Sequence, residues 1–332
     1  MTAPVPARPA PSRVALALGS GGARGYAHIG VLAELDARGF EVVTVAGSSM
    51  GALVGGLYAA GGLDDYVDWI TDLTQLDVMR LLDVSLSKSG GVIGADRILA
   101  RVRDILGDAM IEDLPIPYTA VATDLGSGRP VWFQRGSLLT AIRASIAIPG
   151  VISPHRHDGR LLADGGILDP LPVAPTSAVN SDVTIGVVLD SDGGPGEGAI
   201  RAPRTKGRIR RNVTPILESE FVRSVRDRFG LDQSGTDTAA DALGDAVGDA
   251  PAEQRDTPGD PPAMGRIEVL IRSLDIMSVA LSRYQVAGYP PDILIRIPRK
   301  SVRTLDFHKA TEMIDVGRSL TAEALDRLPE HP

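Results

Sequence analysis

Cysteine is absent from the 332 residues, which excludes a disulfide scaffold, a thiolate zinc site, an iron–sulfur cluster and a cysteine nucleophile. Aromatic residues are scarce at 4%, too few for a platform on which nucleic-acid bases stack. A surplus of positive charge is missing as well. The 34 basic and 42 acidic side chains give a formal charge of −8, which argues against nucleic acid as a partner. An uncharged stretch at 42–63 is long enough to suggest a membrane helix, but Gly47, Gly51, Gly55, Gly56, Gly61 and Gly62 interrupt it. It reads instead as a buried strand, a turn and a helix of small residues. The first 13 residues lack the continuous apolar core of a signal peptide, so the default expectation is a cytoplasmic protein.

What is present suffices for a globular α/β protein, since hydrophobic residues make up 43% and charged residues 23%. Residues 1–12 read as a disordered tail and 13–328 as one domain. Arg13 to Leu18 is an apolar run that leads into Gly19-Ser20-Gly21-Gly22-Ala23-Arg24-Gly25, followed by helical spacing from Tyr26 to Arg38. Glu41 to Ala46 repeats the pattern and leads into Gly47-Ser48-Ser49-Met50-Gly51. Two successive strand–helix units predict a parallel sheet with helices on its faces. Further strands are expected near 118–123, 130–133, 160–163, 183–189 and 292–297, and a last helix over 306–328. Between about 191 and 263 periodic apolar residues give way to glycine, proline, aspartate and arginine, which reads as a largely disordered insertion. Its charge is segregated. Arg201–Arg228 holds nine basic and three acidic residues, whereas 231–262 holds eight acidic and one basic. The basic half could touch an anionic membrane peripherally, or the whole could be a solvated linker neutralised by its own acidic half. From 264 to 287 helical periodicity resumes, with Ile267, Leu270, Ile271, Leu274, Met277, Leu281 and Tyr284 on one face expected to enter the core.

Three local patterns can carry chemistry. Gly47-Ser48-Ser49-Met50-Gly51 is a G-x-S-x-G sequence between a strand and a helix, where a sharp turn exposes the Ser49 hydroxyl as a nucleophile. The loop at 19–25 has several readings. It could cradle a dinucleotide, although it lacks the G-x-G-x-x-G order. It could be a packing turn, or it could aim the N–H groups of Gly21, Gly22 and Ala23 at the oxygen of a tetrahedral intermediate. Asp164 follows Leu161-Leu162-Ala163 and precedes Gly165-Gly166, which places a carboxylate at the end of a strand. For a base, the order Ser49, Asp164, His308 satisfies a hydrolase triad. Of the other four histidines, His28 sits in a helix where burial is expected, His155 and His157 lie in a polar turn, and His331 is in the tail. A catalytically silent lipid- or protein-binding module is the reading from another class.

Gly21-Gly22-Ala23-Arg24-Gly25, Gly47-Ser48-Ser49-Met50-Gly51 and Asp164-Gly165-Gly166, in this order, resemble the patatin-like phospholipases, particularly their short bacterial members. The stretch from Arg143 to Pro154, with Ala144-Ser145 and Ile148-Pro149-Gly150, is similar too. The resemblance covers about 13–190 and 264–328. It implies a three-layer α/β/α fold with a mostly parallel central sheet, and a dyad of Ser49 as nucleophile and Asp164 as base. It further implies an oxyanion hole from the backbone of Gly21, Gly22, Ala23 and Arg24, and hydrolysis of lipid acyl esters without metal or cofactor. Two positions depart from the family's usual pattern: Ser20, where glycine is frequent, and Asp169, where asparagine is common.

Overall fold

The structure, a computed structural model, describes residues 12–74, 76–78, 96–191, 265–298, 301–302, 304 and 306–327. The expected tail (residues 1–11 of it), nearly all of the expected insertion and the basic segment Arg201–Arg228 lie outside the described residues.

The chain opens with β1 (Arg13–Leu18), α1 (Ala27–Ala37), β2 (Glu41–Ser48) and α2 (Met50–Ala59). There follow α3 (Leu63–Thr71), α4 (Asp96–Leu106), β3 (Tyr118–Asp124), β4 (Arg129–Phe133), α5 (Leu138–Ser145), β5 (His155–His157) and β6 (Arg160–Asp164). The described part ends with β7 (Val183–Ser191), α6 (Arg266–Gly288), β8 (Ile293–Pro298) and α7 (Ala310–Asp326). The eight strands form one sheet in the order β5-β6-β3-β2-β1-β7-β8, with β4 paired to β3. The five strands from β3 to β8 in that order are mutually parallel, while β4, β5 and β6 join antiparallel. Strand β1 lies between two parallel neighbours and is buried from Val14 to Leu18, which is why it reads as a continuous apolar run rather than an alternating one.

Side chains alternate across the sheet. Val14, Leu16, Leu18, Ile185, Val187, Ile293 and Ile295 enter the large core that α1 to α5 and α7 cover. Their neighbours Ala17, Val188 and Leu294 enter a small one with Leu171 and Val173, against which Val286 of α6 packs. The result is a three-layer α/β/α domain with one thick and one thin outer layer. The span 42–63 divides into β2, α2 and a turn as read, and no described helix is long and apolar enough to cross a membrane. Helix α5 begins at a Ser137 cap whose side chain accepts from the Thr140 amide at 3.3 Å.

Four details differ from the sequence reading. The helix after the glycine loop starts as a 3-10 turn over Gly22–Tyr26, because that loop must turn tightly before α1 begins. His155 and His157 lie on the short strand β5, not in a turn. The last helix starts at Ala310, which leaves His308 in the preceding turn. Helix α6 is rotated from its expected seat. Leu270, Met277 and Tyr284 are exposed, and the inward stripe includes Asp275, Ser278, Ser282 and Gln285. Asp275, Ser278 and Gln285 find partners on the loops below, while Ile271, Leu274 and Leu281 of the expected face stay half-buried, so hydrogen bonding joins apolar contact in setting the helix's rotation.

Candidate active site

The strand order reverses direction between β1 and β7: β2 and β3 lie on one side of β1, β7 and β8 on the other. In open parallel sheets ligands bind outside the carboxyl ends of the strands at such a switch point. The glycine loop after β1 lies there, and Gly21, Gly22 and Arg24 line a cavity with Val188 and Leu189 of β7 and with Ser49.

Ser49 stands between β2 and α2 with φ 55° and ψ −121°. A positive φ at a non-glycine residue costs of order 1–3 kcal/mol and persists where the surroundings dictate it. Here they do. The Ser49 N–H donates to Ser145 Oγ at 2.9 Å, and Ser145 Oγ donates to the Val121 carbonyl at 2.6 Å, so the last residue of α5 ties the turn to β3. The turn is also too tight for side chains on either flank. A Cβ at Gly47 would lie 2.2 Å from the Gly51 carbonyl oxygen, and one at Gly51 would lie 2.1 Å from that of Leu18.

Ser49 Oγ donates to Asp164 Oδ2 at 2.5 Å. The carboxylate comes from β6, which runs antiparallel to β3, so Asp164 reaches the site from the opposite direction to the parallel strands. Register brings the two residues together: Ser48 pairs with Val121, and Asp164 with Ala122 on the same strand. The Asp164 amide donates to the Ala147 carbonyl, its own carbonyl accepts from Thr123 Oγ1, and its Oδ1 accepts the Gly166 amide at 2.7 Å. Burial pushes the Asp164 carboxyl up from 3.8 to about 6, against the opposing pull of the hydrogen bonds from Ser49 and Gly166. Gly165 and Gly166 form the 3-10 turn that follows.

The glycine loop is braced from afar. At Gly22, φ is +57° and a Cβ would lie 2.3 Å from the Thr304 carbonyl oxygen. That oxygen accepts the Ala23 N–H at 2.8 Å. Of the four residues expected to supply oxyanion donors, Gly21, Gly22 and Arg24 therefore line the cavity, whereas Ala23 turns its amide to Thr304. Gly25 lies against Met50 at the start of α2. The buried Arg24 guanidinium donates Nε–H to the Gly21 carbonyl at 3.1 Å and Nη2–H to both oxygens of Asp275, each at 3.3 Å. Ser278 Oγ donates to the Gly166 carbonyl at 2.9 Å, and Gln285 Nε2 donates to Asp169 Oδ1 at 2.7 Å. Helix α6 thus bonds to the glycine loop, to the turn after Asp164 and to Asp169. Burial raises the Asp169 carboxyl to about 6 as well.

His28 is fully buried, with Nε2 2.8 Å from the Gly19 carbonyl oxygen, and burial lowers its pKa to about 4. It supports the loop as a neutral ring. His308 lines neither of the cavities that Ser49 borders. Asp275, Thr304 and Ser145 escaped chemical reading of the sequence. Asp275, Ser278, Ser282 and Gln285 recur at spacings of three and four, a polar stripe that was legible but was masked by the apolar one beside it.

A strained serine turn and a buried carboxylate at the edge of an α/β sheet define the class to which the chain conforms. Residues 16–176 match the family model for patatin-like phospholipase. An uncharacterized NTE family protein of Mycobacterium tuberculosis strain H37Rv is 51% identical over 331 residues, 95% of this chain and 91% of its own. The patatin-like phospholipase domain-containing protein 7 of Rattus norvegicus is 32% identical over 185 residues, 54% of this chain and 14% of its own. The crystal structure of VipD from Legionella pneumophila overlaps 96% of this chain and 67% of that one at 14% identity and a TM-score of 0.40, too loose a likeness to inform the site. The chain belongs to the patatin-like phospholipase family, whose class of activity is lipid hydrolysis. Asp275 and Thr304 lie outside the span that matches the family model.

Proposed function

We propose that the protein hydrolyses carboxylic esters of lipids with Ser49 as nucleophile and Asp164 as general base. The observation that carries this reading is the 2.5 Å hydrogen bond from Ser49 Oγ to Asp164 Oδ2 at a strained strand-to-helix turn. In the first half-reaction the hydroxyl proton passes to Asp164 Oδ2 as Oγ bonds to the ester carbonyl carbon. The carbonyl oxygen takes up the electron pair and faces the amides of the glycine loop. Because the Ala23 amide is held by Thr304, the donors are drawn from Gly21, Gly22 and Arg24. One such donor is worth about 100–1,000-fold in rate. The tetrahedral species collapses, the carbon–oxygen bond to the alcohol breaks, and Asp164 returns the proton to the leaving oxygen. In the second half-reaction water gives a proton to Asp164 and attacks the acyl-serine. Oγ leaves, recovers that proton, and the fatty acid departs.

This reaction draws no step through His308, a metal or a cofactor. Labelling with a fluorophosphonate probe tests the nucleophile: wild type is labelled, Ser49→Ala is not, and mixed lipids release fatty acid only with wild type. An unlabelled Ser49 in folded protein would favour the silent binding module instead.

A further inference from the structure

Ser49 borders two cavities of opposite character. The one already described holds Arg24, Asp275 and several serines. The second, about 720 Å³ of empty space with its mouth included, has a described lining that is apolar apart from Ser49, the hydroxyls of Tyr26 and Tyr66 and the indole N–H of Trp69. Ser49 and Ile148 are common to both, so a group bonded to Oγ can extend into either.

The second cavity concentrates the chain's scarce aromatics. Of thirteen Phe, Tyr and Trp residues, four wall it: Tyr26, Tyr66, Trp69 and Phe307. They pack on one another, Tyr26 edge-on to Phe307 with ring centroids 6.0 Å apart and Tyr66 tilted against Trp69 at 5.8 Å. Tyr26 and Tyr66 are both buried, and the wall turns mainly hydrocarbon and ring surface toward the space. Ile152 closes the lining from the loop after α5. Such a space, with a few polar groups at one end and apolar walls elsewhere, suits an elongated apolar ligand whose reactive end stays at the polar group.

The geometry points to this cavity as the seat of the substrate's acyl chain, with the alcohol portion in the polar cavity and Trp69 and Ile152 determining which chains fit. This assignment rests on the hydrolase reading above. Each methylene buried should raise kcat/KM about fourfold, the equivalent of ~0.8 kcal/mol, until the space is filled. A phosphate or sugar on that side would find at most the Trp69 indole N–H and the two tyrosine hydroxyls, too few to replace its hydration, and is disfavoured.

Two measurements test it. The first follows kcat/KM for p-nitrophenyl esters of increasing acyl length. The expected profile rises and then breaks, Ile152→Trp moves the break to shorter chains, and Trp69→Ala moves it to longer ones. Leu73→Trp, which fills the same cavity from the end of α3, serves if the Ile152 variant does not fold. The second is independent of turnover. In Ser49→Ala combined with Trp132→Phe, Trp69 is the sole tryptophan, and a brominated sixteen-carbon fatty acid should quench it in a saturable way that Ile152→Phe, which fills the cavity without adding a second tryptophan, weakens at least tenfold. Ester hydrolysis without length dependence or quenching would overturn the acyl assignment and leave the hydrolase reading standing. Quenching without hydrolysis of any ester would overturn the hydrolase reading and keep the cavity's ligand class.

Discussion

Replacing Asp164 with asparagine should stabilise the fold while removing activity. The carboxyl is 6% exposed, and burial raises its pKa from 3.8 to about 6. One pKa unit corresponds to 1.36 kcal/mol, so at pH 8 the ionised Asp164 costs the native state ~3 kcal/mol relative to a neutral group in its place. Asparagine supplies that neutral group at the same size. Its oxygen can still accept the Gly166 amide, and its nitrogen can face Ser49 Oγ. The sign follows from linkage. A carboxyl whose pKa is higher when folded takes up protons on folding, so its favourable contribution is fully present below 3.8 and is lost as pH rises through about 6. The stability gap between Asp164→Asn and wild type should thus be greatest above pH 7, shrink between pH 6 and 4, and close below. Asp169, raised in the same way, is present in both proteins and drops out of the difference.

Urea unfolding of both proteins from pH 8 down to pH 4 measures the gap directly, and ~3 kcal/mol corresponds to a Tm difference of roughly 6 °C or more. In the same preparations kcat/KM should fall by about 100–10,000-fold, the usual contribution of a positioned general base. A gap of the same size at pH 8 and pH 4, or an asparagine variant less stable than wild type at pH 8, would refute the assignment of the raised pKa to buried charge.

Three further outcomes are expected. For wild type, kcat/KM should drop about tenfold per pH unit below pH 6 as Asp164 takes up its proton, and His308→Ala should leave the profile within a few-fold; a large loss at His308 in folded protein, with Asp164→Asn nearly silent, would transfer the base role to imidazole. Ser145→Ala leaves the Ser49 amide and the Val121 carbonyl, both now bonded to Ser145 Oγ, without that partner. It should cost about 1–3 kcal/mol in chemical unfolding and lower kcat more than it raises KM. Asp275→Asn removes the charge facing buried Arg24, and because Asp275 is itself 21% exposed the cost should be about 1–3 kcal/mol, below the 3–5 kcal/mol of a fully buried pair. Fluorophosphonate should then react with Ser49 at least tenfold more slowly; an unchanged labelling rate would separate the pair from the glycine loop.

Much of the site was legible because it is local in sequence. Ser49 needs a strand, a helix and two glycines within five residues, and all of them are adjacent. The glycine loop after β1 is equally contiguous. Asp164 was found by its place at a strand end, and the structure delivers it from an antiparallel strand. Strand direction depends on which edge is free when the strand docks, and nothing in Arg160–Asp164 records that. The rest was not local at all. Ser145 acts on Ser49 across 96 positions and Asp275 on Arg24 across 251, and single residues of common type carry no sign of a distant partner. Helix α6 was misread because apolar periodicity was taken as the guide to burial. Its outward face keeps Leu270, Met277 and Tyr284, while its polar stripe meets the loops around Ser49.

The two costly features of the site are adjacent and serve one end. Ser49 is held at a positive φ and the Asp164 carboxyl is held largely buried, and a single substitution at either would relieve the fold. In the proposed reaction the burial that costs stability also sets the strength of the base. A carboxylate at its ordinary value of 3.8 would be almost wholly ionised at pH 7 and a poor acceptor for a serine proton. At about 6 it is still ionised about ten to one at pH 7, yet its affinity for a proton is roughly a hundredfold greater. That is close to the value of about 6.5 for an unperturbed imidazole, and general-base efficiency is best when the pKa lies near the working pH. A buried aspartate bonded directly to the nucleophile can therefore do the work for which other serine hydrolases place a histidine between the two. The same burial explains why His28, though close in sequence to the glycine loop, is unsuited to that role: its pKa of about 4 makes it a weaker base than Asp164, and its Nε2 is committed to the Gly19 carbonyl.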